Sequence, residues 1–439
     1  MYQSLGQLKE TKVFKDPVHR YIYVSDQLIW QLIGTKEFQR LRRVKQLGTS
    51  FLTFHGAEHT RFHHSLGVYE ITRQLIDVFN GRADWDDQYR ELTLVAALLH
   101  DVGHGPFSHA FENVFGVDHE EWTERIILGD TEIKRVLDQV GEGFAEEVAS
   151  VINKTHPNQL LVTMISSQLD VDRMDYLLRD AHFAGVSYGK FDLERMLRVL
   201  RPAHNQMVVK QSGMHSIEDY IMRRYQMYWQ VYLHPVTRSS DYLLKAILER
   251  AKELYTSGYV FDIHPVHLIP LFDQTMALKN YLALDETIVY FYFQQWMEEH
   301  DAILSDLSRR FVNRKLFKYV DYPPEKREAI HEKLAELFNK IGLDPAYYLL
   351  EDKLSRLPYD LYGENGEISK QPIMLQMKDG QKKEISQVSP LVEAIANSRQ
   401  TDEKLFYPQE ILYDLREFAN EKMQIDQLLL GGHSNETSH

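Results

Sequence analysis

Leu92 to Phe111 reads LTLVAALLHDVGHGPFSHAF, an apolar run that delivers His100 and Asp101 side by side and then His104 and His109. Leu92, Val95, Ala96 and Leu99 recur at helical spacing, so His100 and Asp101 fall at the end of a helix buried on at least one side. Gly103, Gly105 and Pro106 break that helix. Neutral imidazole and carboxylate are ligands that divalent metals accept, and the partial negative charge of a helix C-terminus favours a cation further. An isolated His-Asp dipeptide would more simply be a core histidine beside a turn residue. Three histidines and a carboxylate within ten residues point instead to a metal.

Composition narrows the chemistry. At 439 residues and 44% hydrophobic content, the chain can build a large core or two or three domains. Its apolar runs reach about eight residues, short of the roughly 18 to 20 that span a bilayer, and MYQSLGQLKETK lacks a signal-peptide pattern. A cytoplasmic protein without a membrane partner is expected. With no cysteine, thiolate nucleophiles, disulfides and Cys-type zinc sites are excluded, leaving 20 histidines and the carboxylates to bind metal. A net charge of −14 argues against a nucleic-acid partner and leaves small phosphorylated ligands open.

In chain order, Val13 to Val24 reads as a short hairpin around Asp16-Pro17. Gln27 to about Gln46 reads as one helix: Leu28, Leu32, Phe38, Leu41 and Val44 form an apolar stripe, opposite Lys36, Arg40, Arg42, Arg43 and Lys45. That basic side is either a solvated face or a phosphate site. Thr60 is placed to cap a helix through Leu66, Tyr69, Leu75, Ile76 and Phe79, with Arg61 in its first turn and His63 and His64 a turn in. From Ser166 to about Phe183, Leu169, Leu177, Leu178 and Ala181 give an apolar side, while Asp172, Tyr176 and Asp180 stand at i, i+4 and i+8 on another. Ile217 to about Tyr255 is helical and aromatic-rich, with Arg223 and Arg224 unexplained by packing. Lys326 to Ile341 is helical again; Tyr347 to Leu350 is strand-like, and Ile373 to Ile385 is a hairpin turning at Asp379-Gly380. The expected division is an N-terminal hairpin and basic helix (1–48), a catalytic core (49–255), a helical and small β lobe (256–430), and a disordered tail (431–439).

The order His64, His100-Asp101, Asp172 and the words QRLRRVKQLG (39–48), RFHHSLGV (61–68), LLHDVGHGPFSH (98–109) and DVDRMDYLLRD (170–180) resemble the HD superfamily of metal-dependent phosphohydrolases. Within it, they look like the deoxynucleoside triphosphate triphosphohydrolase branch. The resemblance implies a mostly α fold, an HD-domain helical core with a small mixed α/β C-terminal lobe. It implies a divalent metal (Mg, Mn, Fe, Zn or Ni) on His64, His100, Asp101 and Asp172, and metal-hydroxide attack on the α-phosphorus of a dNTP to give deoxynucleoside and inorganic triphosphate. By the same likeness, His109 is the acid that protonates the leaving 5′-oxygen, Glu112 orients it, and His119 and His104 belong to the active site. Arg61, Arg173 and Arg224 would meet the triphosphate, Gln46 and Asp180 the 3′-hydroxyl, and Tyr176 the sugar, while Leu47 and Tyr232 crowd the 2′ position. Lys12, Val13, Gln39 and Arg42 match a regulatory nucleotide site (GTP or dGTP/dNTP) of homotetrameric members. Two other readings remain: another HD phosphohydrolase, acting on a nucleoside monophosphate, cyclic nucleotide or alarmone, and a non-catalytic nucleotide-binding regulator.

Overall fold

The computed structural model describes residues 2–321, 327–356, 371–396, 400–413 and 417–430, so the tail at 431–439 lies outside the described residues. The fold is mostly helical, with small sheets, and the chain divides into two units. The first comprises Met1–Tyr232, Val266–Val289 and Pro358–Asn397; the second comprises Leu233–Pro265, Tyr290–Leu357 and Ser398–His439. No helix among the described residues is long and apolar enough to cross a membrane.

The first unit opens with an antiparallel hairpin, β1 (Gln7–Asp16) and β2 (Arg20–Asp26). Its helices are α1 (Gln27–Gly34), α2 (Lys36–Arg40), α3 (Arg61–Phe79), α4 (Arg90–Leu99), α5 (His109–Phe115), α6 (His119–Leu128), α7 (Glu132–Leu137), α8 (Phe144–Ile152), α9 (Gln159–Ile165), α10 (Val171–Phe183), α11 (Leu193–Val199) and α12 (Met214–Met227). Helix α3 is the central post, packed against α4 on one side and α10 on another. Leu66, Tyr69, Leu75 and Phe79 from α3 and Leu94, Val95 and Leu98 from α4 are buried in one continuous core. Strands β3 (Leu200–Pro202) and β4 (Met207–Lys210) form a four-stranded sheet with β7 (Met374–Gln376) and β8 (Lys382–Glu384), in which β4 and β7 run parallel. In the second unit, β5 (Lys318–Asp321), β9 (Gln400–Tyr407) and β6 (Leu350–Arg356) form an antiparallel sheet in that order, and the helix Pro235–Thr256 packs on Ala302–Val312.

Four expected elements have different bounds. The helix expected over Gln27 to Gln46 breaks at Thr35, whose backbone is extended and whose side chain accepts from Phe38 N, capping α2. Its basic residues do not form one solvated face: Arg40 is buried, and Arg42 lies over the Phe62 ring at 3.6 Å. Helix α10 starts at Val171 rather than near Ser166, because the Asp170 carboxylate caps it through Arg173 N. The stretch expected as one helix from Ile217 to Tyr255 ends its α-helical part at Met227 and passes into a π-turn at Tyr228–Tyr232; a new helix begins at Pro235, which has no N–H to lose at a helix start. Finally, Tyr347 and Tyr348 close a short Pro345–Tyr348 helix capped by Asp344, and the strand begins only at Leu350.

Helix α3 carries a glycine where α10 presses closest. A Cβ on Gly67 would lie 1.9 Å from Asp175 Oδ1 and 2.4 Å from Arg179 Nη2, two side chains buried from solvent. Gly67→Ala must therefore push apart a buried ion pair, and we expect a loss of about 3 kcal/mol in denaturant unfolding. Gly34→Ala, where nothing lies within 4 Å of the added carbon, should not destabilise the protein in the same assay.

Candidate metal centre and active site

Three elements bring four ligand-type side chains together. Helix α3 supplies His64, the residues just past α4 supply His100 and Asp101, and the first turn of α10 supplies Asp172. His64 Nε2 lies 3.6 Å from Asp101 Oδ2 and 3.1 Å from Asp172 Oδ1; His100 Nε2 lies 3.4 Å from Asp101 Oδ1 and 3.6 Å from Asp172 Oδ1. The outer ring nitrogens are engaged elsewhere, His64 Nδ1 with Asp175 Oδ2 at 2.9 Å and His100 Nδ1 with Ala97 O at 2.9 Å. Those contacts orient both rings so that Nε2 faces the carboxylates. Both Nε2 atoms are buried and make no aligned hydrogen bond among the described residues. Two such nitrogens and two carboxylates fit a divalent cation and leave coordination positions for water and substrate.

The local field is strong. Burial opposes the His64 imidazolium, but Asp172, Asp175 and Asp101 outweigh it and carry the pKa up to about 10. Burial likewise opposes the Asp101 and Asp172 carboxylates, yet Arg61 and the imidazoles hold Asp101 well below its ordinary range, and His100 and His64 do the same for Asp172. Arg61, buried at the start of α3, pairs with Asp101 and donates through Nη2 to Ser108 Oγ at 2.7 Å. Ser108 and Phe107 both have left-handed backbones, at φ 47° and 55°, a conformation that costs non-glycine residues about 1 kcal/mol or more.

Two buried groups hold this loop. Glu286 Oε1 accepts from Phe107 N at 3.2 Å and from Lys45 N at 2.9 Å, and Arg40 Nη1 donates to His104 O at 2.9 Å while its Nε donates to Leu284 O at 2.9 Å. Burial pushes the Glu286 carboxyl up to about 7.

Next to these four ligand-type side chains stands a second cluster. Glu112 Oε1 lies 3.2 Å from His104 Nδ1 and 3.0 Å from His119 Nδ1, and the two rings stack at 3.8 Å and 14°. Burial and then Arg61 lower the His104 pKa to about 4, whereas Glu112 raises that of His119 against its burial. The three donors could hold an ion, but with parallel rings at this spacing an ion in one ring plane lies well outside the other. The arrangement suits holding and passing a proton. Helix α5 begins at His109, whose side chain lies outside the described residues.

The expected substrate residues gather around α10. Tyr232 OH donates to Asp180 Oδ2 at 2.7 Å, and the Tyr176 and Tyr232 rings meet edge to face at 6.1 Å. Arg173 pairs with Asp170, and Arg224 Nη1 donates to Gln168 Oε1 at 3.2 Å. Gln46 Oε1, Arg173 Nε and Arg224 Nε are buried without a hydrogen-bond partner among the described residues. Leu47 precedes the Ser50–Leu52 turn, its carbonyl accepting from Ser50 N at 2.9 Å. Of the expected regulatory residues, Arg42 Nε donates to Gln39 Oε1 at 2.8 Å, while Lys12 and Val13 lie on β1, Lys12 facing Glu10 at 3.3 Å.

Sequence reading missed several groups. His59, buried and stacked on Phe183 at 4.6 Å, meets Asp180 Oδ1 at 2.8 Å, and its carbonyl accepts from Gln46 N at 3.0 Å. Asp175 and Arg179 lie one helical turn apart in α10 and could have been found as a second polar stripe on it. Glu286 and Gln168 carry no local signal, and Arg40, read as one of a basic side, is instead buried against the His104 and Leu284 carbonyls.

Residues 61–180 match the HD domain, and residues 191–337 match the HD associated region. YwfO of Bacillus subtilis (strain 168) is 58% identical over 425 residues, covering 97% of this chain and 98% of its own length. The deoxynucleoside triphosphate triphosphohydrolase SAMHD1 homolog of Dictyostelium discoideum is 27% identical over 358 residues, 76% of this chain and 65% of its own. The crystal structure of a phosphohydrolase from Bacteroides thetaiotaomicron matches with a TM-score of 0.79 at 29% identity, covering 91% of this chain and all of that one. This chain therefore belongs to the HD superfamily of phosphohydrolases, as an HD domain continued by its associated region, and has SAMHD1-type triphosphohydrolases among its relatives.

Proposed function

We propose that the protein is a metal-dependent dNTP triphosphohydrolase, converting dNTP and water to deoxynucleoside and inorganic triphosphate. The observation that carries this reading is the set of unpartnered buried atoms on Gln46, Arg173 and Arg224, near the helix that also bears the metal ligand Asp172. A buried polar atom without a partner costs about 1–3 kcal/mol, a cost that ligand oxygens would remove. The relative from Gallus gallus named deoxynucleoside triphosphate triphosphohydrolase SAMHD1, 29% identical over 291 residues, supports the same reading.

His64, His100, Asp101 and Asp172 would hold the ion, one of Mg, Mn, Fe, Zn or Ni. When bound, the ion supplies a Lewis acid that lowers the pKa of water and polarises a phosphoryl oxygen. Water oxygen bonds to the α-phosphorus as the bond from phosphorus to O5′ breaks; O5′ takes a proton from His109, which has Glu112, His119 and His104 as proton-holding neighbours, and the proton the water gives up replaces the one His109 has lost. Arg61, Arg173 and Arg224 neutralise the triphosphate. Asp180 and Gln46 take the 3′-hydroxyl, Tyr176 packs on the sugar, and Leu47 and Tyr232 crowd the 2′ position against ribose.

The reading includes a homotetramer in the cytoplasm, regulated by a nucleotide (GTP or dGTP/dNTP) at Lys12, Val13, Gln39 and Arg42. A cavity of about 350 Å³ that contains none of these four residues is lined by Arg82, Arg195, Arg198, Arg201 and Lys210. No carboxylate pairs with any of the five among the described residues, and Arg201 holds the Lys210 pKa down.

Purified protein with Mn²⁺ or Mg²⁺ should release triphosphate and deoxynucleoside from dNTPs, resolved by ion-exchange chromatography; diphosphate or monophosphate as the inorganic product would refute the assignment. Asp172→Ala should abolish turnover and metal retention together. Arg224→Ala should raise KM about tenfold or more through the loss of a charge-assisted contact, and an unchanged KM removes it from the site. Because the His64 pKa is raised, the metal-free protein keeps its imidazolium up to pH of about 10, and an ion must displace that proton. Metal affinity should therefore increase with pH between 6 and 9, with protons released on ion binding in calorimetry across buffers of different ionisation enthalpy.

A further inference from the structure

Behind the metal ligand His64 runs a chain of buried groups that ends in the N-terminal hairpin. Its Nδ1 faces Asp175 Oδ2 at 2.9 Å, and Asp175 Oδ1 faces His19 Nε2 at 2.5 Å. Arg179 donates to both oxygens of Asp175, through Nε at 2.8 Å and Nη2 at 3.0 Å, and through Nη1 to Asp16 Oδ2 at 2.9 Å. Asp16 Oδ1 accepts from Val18 N and His19 N, each at 2.9 Å, and so shapes the turn joining β1 to β2. The side chains of His64, Asp175 and Arg179 are fully buried, and those of His19 and Asp16 are 3% and 5% exposed.

Such a network is a poor source of stability, since desolvation of buried ion pairs consumes most of their attraction and apolar packing commonly does as well. Its geometry suits another task. A carboxylate on the far nitrogen of a ligating imidazole fixes the ring and raises its basicity. Here that carboxylate is itself fixed on three sides, by His19, by Arg179 and by the backbone of α3 at Gly67, which stands one turn after His64 and whose missing Cβ leaves the space the pair occupies. A helix-interior glycine costs about 0.5–1 kcal/mol, so this close approach is maintained against local propensity.

We propose that Asp16 and His19 are positioning residues of the metal centre, acting through Arg179 and Asp175 on His64, so that the hairpin turn sets how tightly the protein holds its ion. This rests on the assignment of His64 as a metal ligand. It makes β1 and β2 part of the catalytic apparatus although neither strand touches the metal site. Coupling of this kind is reciprocal, so metal binding must also tighten the hairpin.

The full-length protein is stripped with a chelator and titrated with Mn²⁺ against a fluorescent indicator. Asp16→Asn and His19→Gln should weaken Mn²⁺ binding about 10- to 100-fold. Saturating Mn²⁺ should restore kcat, and Thr11→Ala, which loses only the exposed contact to Ser25, should bind as wild type does. In hydrogen exchange, Mn²⁺ should slow the amides of residues 12–24 in wild type and not in Asp16→Asn. Mn²⁺ affinity within twofold of wild type in both variants, with only the melting temperature lowered, would overturn the proposal and leave the metal assignment standing. If Asp16→Asn does not fold, His19→Gln, which removes the ring that faces Asp175, decides alone. Wild-type protein that binds Mn²⁺ no better than Asp172→Ala would instead refute the metal assignment, and this proposal with it.

Discussion

His64 is gripped from both ends by carboxylates, with buried Asp175 behind it and Asp101 and the partly exposed Asp172 in front. Three acids around one imidazole are tolerable only with compensating positive charge, and much of the surrounding structure supplies it. Arg61 leans on Asp101, Arg179 braces Asp175, and His100 stands beside Asp172. The crossing of α3 and α10, the glycine at their contact and the hairpin turn against Arg179 all follow from seating these charges without leaving one unpaired.

The loop that follows His104 obeys a second constraint. Between His104 and His109 the chain takes two left-handed non-glycine residues, a conformation it would not keep unaided. Glu286 and Arg40 hold it through backbone atoms, so their contribution is to geometry more than to charge. One consequence is that Ser108 presents its hydroxyl to Arg61, which aims that guanidinium along the same face as Asp101.

Much of this could be read in the amino-acid sequence where function depends on local spacing. The run ending in His100-Asp101, the Thr60-capped helix with His64, and the i, i+4, i+8 stripe of Asp172, Tyr176 and Asp180 each sit inside one element, and helical periodicity reveals them. The breaks were harder. Nothing at Gly34-Thr35 marks a helix end as strongly as proline would, and the hydroxyl cap became decisive only once Phe38 N was in place to be capped. Hidden altogether were the supports that act across distance: His19 reaches Asp175 over 156 positions and Glu286 reaches Phe107 over 179. His59 and Gln168 look like ordinary polar residues until the fold surrounds them.

The first unit is assembled from three separate stretches of chain. The segment that matches the HD domain, 61–180, contains every proposed metal ligand yet lacks Asp16, Arg40, Tyr281 and Glu286, which fasten those ligands and their loop. A recombinant piece cut to those limits would leave Arg179 with Asp175 but without Asp16, and Phe107 N without Glu286. The body that holds the proposed ligands in place therefore reaches at least from Asp16 to Glu286, well beyond the segment that matches the HD domain.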